Sequence, residues 1–195
     1  MRLINIFKGI AGIAVVFAMA SCEPKKQETV ADAEESVEVA KEANDSTFED
    51  RDDEKDADFI VNAVASNYAG IKMAQLANNK ATDPKVKNIA TMLEKDHTKV
   101  LNELKAYANK NGITVPMAET ESDAKEFADL EKESGAEFDN EWCDAIKDRH
   151  EKTINKFEKR IDKTEDPELK SWISATLPGL KSHLEMFKTR EDGAK

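Results

Sequence analysis

Cysteine is scarce in this chain of 195 residues: only Cys22 and Cys143 are present. That excludes a disulfide scaffold and a Cys-rich zinc module. Glycine and proline are few as well, seven and five. With abundant Ala, Lys and Glu, this argues against an all-β sandwich or barrel and for an all-α chain. Basic charge is in deficit, 29 Lys and Arg against 40 Asp and Glu, for a net −11. Nucleic acid is therefore not an expected partner, because neutralising phosphates needs a basic face. A glycine-rich phosphate loop, a Gly-x-Ser-x-Gly elbow and a Cys-x-x-Cys pair are all missing, which removes the common signatures of nucleotide binding, serine hydrolysis and dithiol chemistry. The length suits one domain with an accessory segment.

No hydrophobic run is long enough to span a bilayer. The longest, Gly9 to Ala20, follows Arg2 and Lys8 and ends at Met19-Ala20-Ser21-Cys22. Its roughly 12 residues fall short of the roughly 20 that a spanning helix needs, so residues 1–21 read as a signal peptide. The small residues before Cys22 resemble a bacterial lipobox. That resemblance implies that Cys22 becomes a lipidated N-terminus, anchored in the envelope. Glu23, where an Asp often signals inner-membrane retention, leans towards the outer membrane, facing the periplasm or the surface. An ordinary secretory signal is the alternative. Residues 22–56 are expected to be the lipidated Cys and an acidic, disordered tether, since residues 23–56 hold fourteen acids and five bases and few large apolar groups to offset the entropy of ordering.

From Ala57 to Lys195 the apolar residues recur at helical spacing. Ile60, Val64, Tyr68 and Ile71 form one stripe. Val86, Ile89, Leu93, Val100 and Leu104 form a second, Phe138, Trp142, Ile146 and Phe157 a third, and Leu169, Trp172, Leu180 and Phe187 a fourth. Asp83-Pro84 and Asp166-Pro167 read as N-caps followed by a first-turn proline, and Asn111-Gly112 as a stop. Asp123 to Glu133 can form a short connecting helix. Pro178 predicts a kink near Ser174. Two helical hairpins of this kind bury their stripes best as a four-helix bundle, either up-down-up-down or with a long crossover.

The three histidines, His97, His150 and His183, fall on three different helices, each on the apolar stripe. Counting from the helix ends at about 1.5 Å per residue puts them within about 3–5 Å of one level, and the matching level on the first long helix lies near Asn67 and Tyr68. Imidazoles converging inside a bundle suit Zn, Cu, Ni or Fe, with a further ligand from water or from Glu94, Asp96, Asp148 or Glu151. The bland alternative is three satisfied core histidines, which would make an acid-sensitive core. Cys143 stands seven residues before His150, about 10 Å along the helix, and reads as a small core residue.

Lys95-Asp96-His97-Thr98-Lys99, Ile113-Thr114-Val115-Pro116, Phe138-Asp139 with Trp142, His150-Glu151-Lys152 and Leu177-Pro178-Gly179-Leu180-Lys181-Ser182-His183 together resemble the "domain of unknown function 4142" family over residues 57–190. The resemblance implies a ferritin-like helical bundle in the bacterial envelope and no established activity. Members commonly carry acids where Gly70 and Lys72 stand here, and an Asp where Arg149 stands. A di-iron site needs two Glu-x-x-His pairs and two further Glu; Glu94-x-x-His97 supplies one pair, but Lys147 and Leu180 break the others. Three functions follow. The first is an envelope lipoprotein holding or sensing one ion (Zn, Cu or Fe) through His97, His150 and His183. The second is a purely structural or interaction lipoprotein with unknown protein partners. The third, disfavoured by the missing carboxylates, is an iron- or manganese-dependent oxidoreductase. The balance weighs against an enzyme, and no catalytic residue stands out.

Overall fold

The computed structural model describes residues 30–192 apart from Glu49. The signal peptide and Cys22 lie outside the described residues. Within them are six α-helices and no strand: α1 (Val30–Asp45), α2 (Arg51–Lys80), α3 (Pro84–Asn111), α4 (Glu121–Leu130), α5 (Gly135–Ile161) and α6 (Pro167–Asp192). None is long and apolar enough to cross a membrane.

The helix boundaries are set by local chemistry. Asp83 accepts the Lys85 amide at 2.8 Å with Pro84 in the first turn, and Gly112 closes α3 at φ 70°, the left-handed conformation that a β-carbon disfavours. Asp166 caps α6 through the amides of Glu168 and Leu169, at 2.7 and 3.3 Å. Thr120 caps α4. α6 stays helical through Pro178, so the expected kink near Ser174 does not break the helix.

Residues 30–45 depart from the expected tether. They form α1, whose Val37 and Ala40 are buried against Val61 and Ala65 of α2. Asn44 fastens its far end, donating to the Thr114 carbonyl at 2.9 Å and accepting the Thr114 amide at 2.8 Å. Glu38, Glu42 and Asp45 are exposed, while Val37, Ala40 and Asn44, at helical spacing, share the face that packs. Helical structure therefore begins before Ala57.

Hydrogen bonds between elements give the direction of each helix. Asp139, near the start of α5, accepts from the Thr82 hydroxyl at 2.6 Å and the Asp83 amide at 2.8 Å, in the α2–α3 turn. At the other end of α5, Arg160 and Thr164 meet Asp56 near the start of α2. So α5 runs antiparallel to α2 and parallel to α3, and the segment with α4 recrosses the length of the molecule between them. α6 turns back beside α5, starting where Tyr107 near the end of α3 bonds Asp166 and ending with Phe187 on Trp142.

The core is divided. Met73, Leu93, Phe138, Trp142, Ile146 and Phe187 pack at one end, and Ile60, Val64, Leu104, Phe157, Leu169 and Ile173 at the other. On each long helix the join falls on a polar residue or glycine: Asn67 and Gly70 on α2, His97 on α3, His150 on α5 and His183 on α6.

Candidate metal centre

The three imidazoles meet at that join. His150 and His183 are buried, 4% and 8% exposed, while His97 is half-buried. The His150 ring is central, 5.9 Å from the His97 ring and 5.4 Å from the His183 ring between centroids. Histidine levels estimated from helix ends and the level found in three dimensions therefore coincide.

The outward hydrogen bond of each ring assigns its protons. His150 Nδ1 lies 2.8 Å from the Ile146 carbonyl, so it is the N–H and Nε2 keeps its lone pair. Asn67 donates its amide to the Ala63 carbonyl at 2.8 Å, which turns Asn67 Oδ1 towards His97 Nδ1 at 2.9 Å. His97 Nδ1 is thus the donor and Nε2 the bare nitrogen. His183 Nε2 donates to Asp96 Oδ2 at 3.1 Å, leaving its Nδ1 lone pair facing His150 Nε2 at 3.4 Å. Two lone pairs face each other there, an arrangement satisfied by one shared proton or by a cation. A first-row ion bound at about 2.0–2.1 Å separates two nitrogen ligands by about 3.3–3.5 Å. The outward bonds to a carbonyl, an amide oxygen and a carboxylate are the kind that orient metal-ligating histidines.

His97 stands further off. Among the described residues, the three ligand atoms that lie within 4.8 Å of one another belong to Glu133, Glu137 and Glu141, a largely exposed acidic stripe at the start of α5. The imidazole trio is more open than that, with the His150–His183 pair at ion-sharing distance and His97 beside it.

The other sequence candidates divide by helical geometry. Asp96 reaches the centre, through His183 rather than through its neighbour His97. Glu94 does not: its two oxygens accept from Gln75 at 2.9 Å and Asn78 at 2.8 Å on the outer side of α2. Asp148 and Glu151 are exposed on the outside of α5. At 100° per residue, positions two before or one after His150 point away from the core. With Glu94 occupied elsewhere, even the one Glu-x-x-His pair does not assemble as a di-iron half-site.

Two further groups shape the centre without ligand chemistry. Gly70 lies under His97; a β-carbon there would sit 2.8 Å from the imidazole ring. A glycine inside a helix is costly unless something needs its space, and that cost is the signal available in the sequence. Arg149, next to His150, points instead to α4, where its Nη1 donates to Asp123 at 2.7 Å and Glu126 at 2.5 Å. α4 is thereby held along a cavity of about 1040 Å³ that reaches all three histidines.

Burial, the neighbouring imidazoles and the Arg149 charge push His97 down to about 3. Burial likewise holds His150 down at about 4, against the opposing pull of the Ile146 carbonyl. Both rings are neutral in the folded protein at pH 7. Between about pH 6.5 and pH 4 the unfolded chain takes up protons that the folded chain does not, so stability falls with falling pH by about 1.4 kcal/mol per unit for each ring. Urea melts across pH 4.5–7 are expected to show this slope. A variant with His97 and His150 both replaced by Leu should lose most of it, and an unchanged slope would contradict the assignment of these two rings.

Known proteins bear on this arrangement in two ways. A solved structure described as "CopM in the Cu(I)-bound form" has a similar fold, with a TM-score of 0.60, 22% identity, and 71% of this chain matched to 96% of that one. No curated protein matches the sequence. Residues 37–189 match the family described as Domain of unknown function (DUF4142). That span takes in all three histidines, α1 from Val37 and every helix that positions the centre, and on it the chain belongs to the DUF4142 family.

Proposed function

We propose that this protein is an envelope lipoprotein, anchored through Cys22, whose ferritin-like four-helix bundle of α2, α3, α5 and α6 binds one transition-metal ion through His150, His183 and His97. The observation that carries the reading is the 3.4 Å approach of His150 Nε2 to His183 Nδ1, with the other nitrogen of each ring turned to a carbonyl or a carboxylate. His150 Nε2 and His183 Nδ1 form the prepared pair, and His97, whose Nε2 is bare, is the third ligand. Asp96 acts behind His183 and does not face the ion. Imidazoles with no thiolate and no inward carboxylate suit copper or zinc better than a hard, oxygen-seeking ion. The likeness to a Cu(I)-bound protein makes Cu(I) the first ion to test. Binding or sensing fits this donor set better than oxidase chemistry, because Glu94, Asp148 and Glu151 all face away from the centre.

Elemental analysis of the purified full chain after loading with Cu(I) or Zn(II) is the test. One ion per chain is expected for the parent and none for the variant with His97, His150 and His183 all changed to Ala. An empty parent, or equal loading of both proteins, would overturn the reading and leave the histidines as core groups.

A further inference from the structure

The centre has four walls, but only three carry histidine. The fourth is α2, and its two residues at the join, Asn67 and Gly70, both act on the same ring. We infer that α2 is a positioning element: Gly70 supplies the hollow in which the His97 imidazole lies, and Asn67 fixes the proton on Nδ1, so that Nε2 is the nitrogen presented to an ion. This rests on the metal-binding reading above for its consequence, though not for its geometry.

The two contacts do different work. Asn67 is 7% exposed, and its amide is spent on the Ala63 carbonyl one turn back, which leaves only an oxygen for His97. An oxygen can only accept, so the opposite tautomer of His97 would set a lone pair against it. Gly70 lies three residues further on, on the same face of α2. Its missing β-carbon would come within 2.8–2.9 Å of three atoms of the His97 ring. A methyl group there must displace the ring, because the ring is the free end of a side chain and the helix backbone is not.

These roles separate from stability in a way that ordinary packing does not. Alanine is a better helix former than glycine, so Gly70→Ala is expected to keep or raise Tm while moving His97 out of place. The full chain, metal-free, would be compared as parent, Gly70→Ala, Asn67→Leu and Asn67→Asp. Long-range nitrogen–proton NMR of the imidazoles should report the Nδ1–H tautomer for His97 in the parent and in Asn67→Asp, which keeps an acceptor. It should report a tautomer mixture in Asn67→Leu. Added Cu(I), measured by competition with a chromogenic chelator, should bind about 10–100-fold more weakly to Gly70→Ala and Asn67→Leu, the range found when support behind a ligand is removed, and near parent strength to Asn67→Asp.

An unchanged His97 tautomer in Asn67→Leu, or parent-like Cu(I) binding by a folded Gly70→Ala, would overturn the positioning role. If the parent itself fails to bind while Asn67→Leu shifts the tautomer, the metal reading falls and the steering of His97 by α2 stands.

Discussion

Changing His150 alone to Ala is expected to weaken ion binding by more than about 100-fold, beyond the 10–100-fold that loss of an outer partner costs. The other two histidines should each do less. The asymmetry follows from position: His150 lies beside both other rings, 5.9 Å from one and 5.4 Å from the other. It also contributes one half of the 3.4 Å nitrogen pair. Removing it breaks that pair and takes away the ring that lies beside both others, whereas removing His97 leaves the pair intact. Stability should move the other way under metal-free conditions at pH 5. There the parent is held back by a ring that resists protonation, so His150→Leu, which keeps the volume, should narrow the gap between pH 5 and pH 7. Competition titration with Cu(I), run beside urea melts at both pH values, measures the two effects on the same samples. Equal affinity losses for all three single variants would show a symmetric centre and contradict the prepared pair.

The second large effect lies at the far end of α5. Arg160 on α5 and Asp56 on α2 are both buried, at 7% and 6% exposure, and bond at 2.5 Å, with Thr164 donating to the other Asp56 oxygen at 2.7 Å. Arg160→Ala strips the partner from a buried carboxylate while leaving the carboxylate in place. Breaking such a pair costs about 3–5 kcal/mol, a large share of what a domain of this size has in hand. The urea midpoint should drop accordingly. The double change Asp56→Asn with Arg160→Met should recover most of the loss, because the expense lies in the orphaned charge and not in the absence of attraction. A small effect of Arg160→Ala, below about 1 kcal/mol, would mean that water reaches Asp56 when the arginine is gone.

Much of this protein is legible in one dimension. The helix limits follow from short-range rules: Asp-Pro at two starts, Asn-Gly at one stop, and an apolar stripe between them. The common level of His97, His150 and His183 follows from the constant rise of a helix, which turns residue counts into heights. The family resemblance rests on motif order along the same helices and agrees with the match over residues 37–189. The acidic N-terminal stretch was misleading because composition averages around a helix. Val37, Ala40 and Asn44 are a minority in number, yet they share the one face that packs.

Rotation and partner choice belong to the tertiary structure alone. Residue counts gave height along an axis but not the direction a side chain takes around it. Hence Glu94, Asp148 and Asp96 look alike as neighbours of histidines, and only Asp96 reaches the centre, from behind His183. The same is true of Asn67 and Gly70, whose importance exists only because α3 lays an imidazole across α2. The parallel run of α3 and α5 was open as well, since a connection of that length can return to either end. It is settled by Asp139 gripping the α2–α3 turn while Arg160 and Thr164 hold Asp56. Local propensity and periodicity act within a helix and can be read from the chain. Which faces meet, and which lone pairs are left confronting each other, depends on contacts between residues far apart in sequence, and those arise only when the helices pack together.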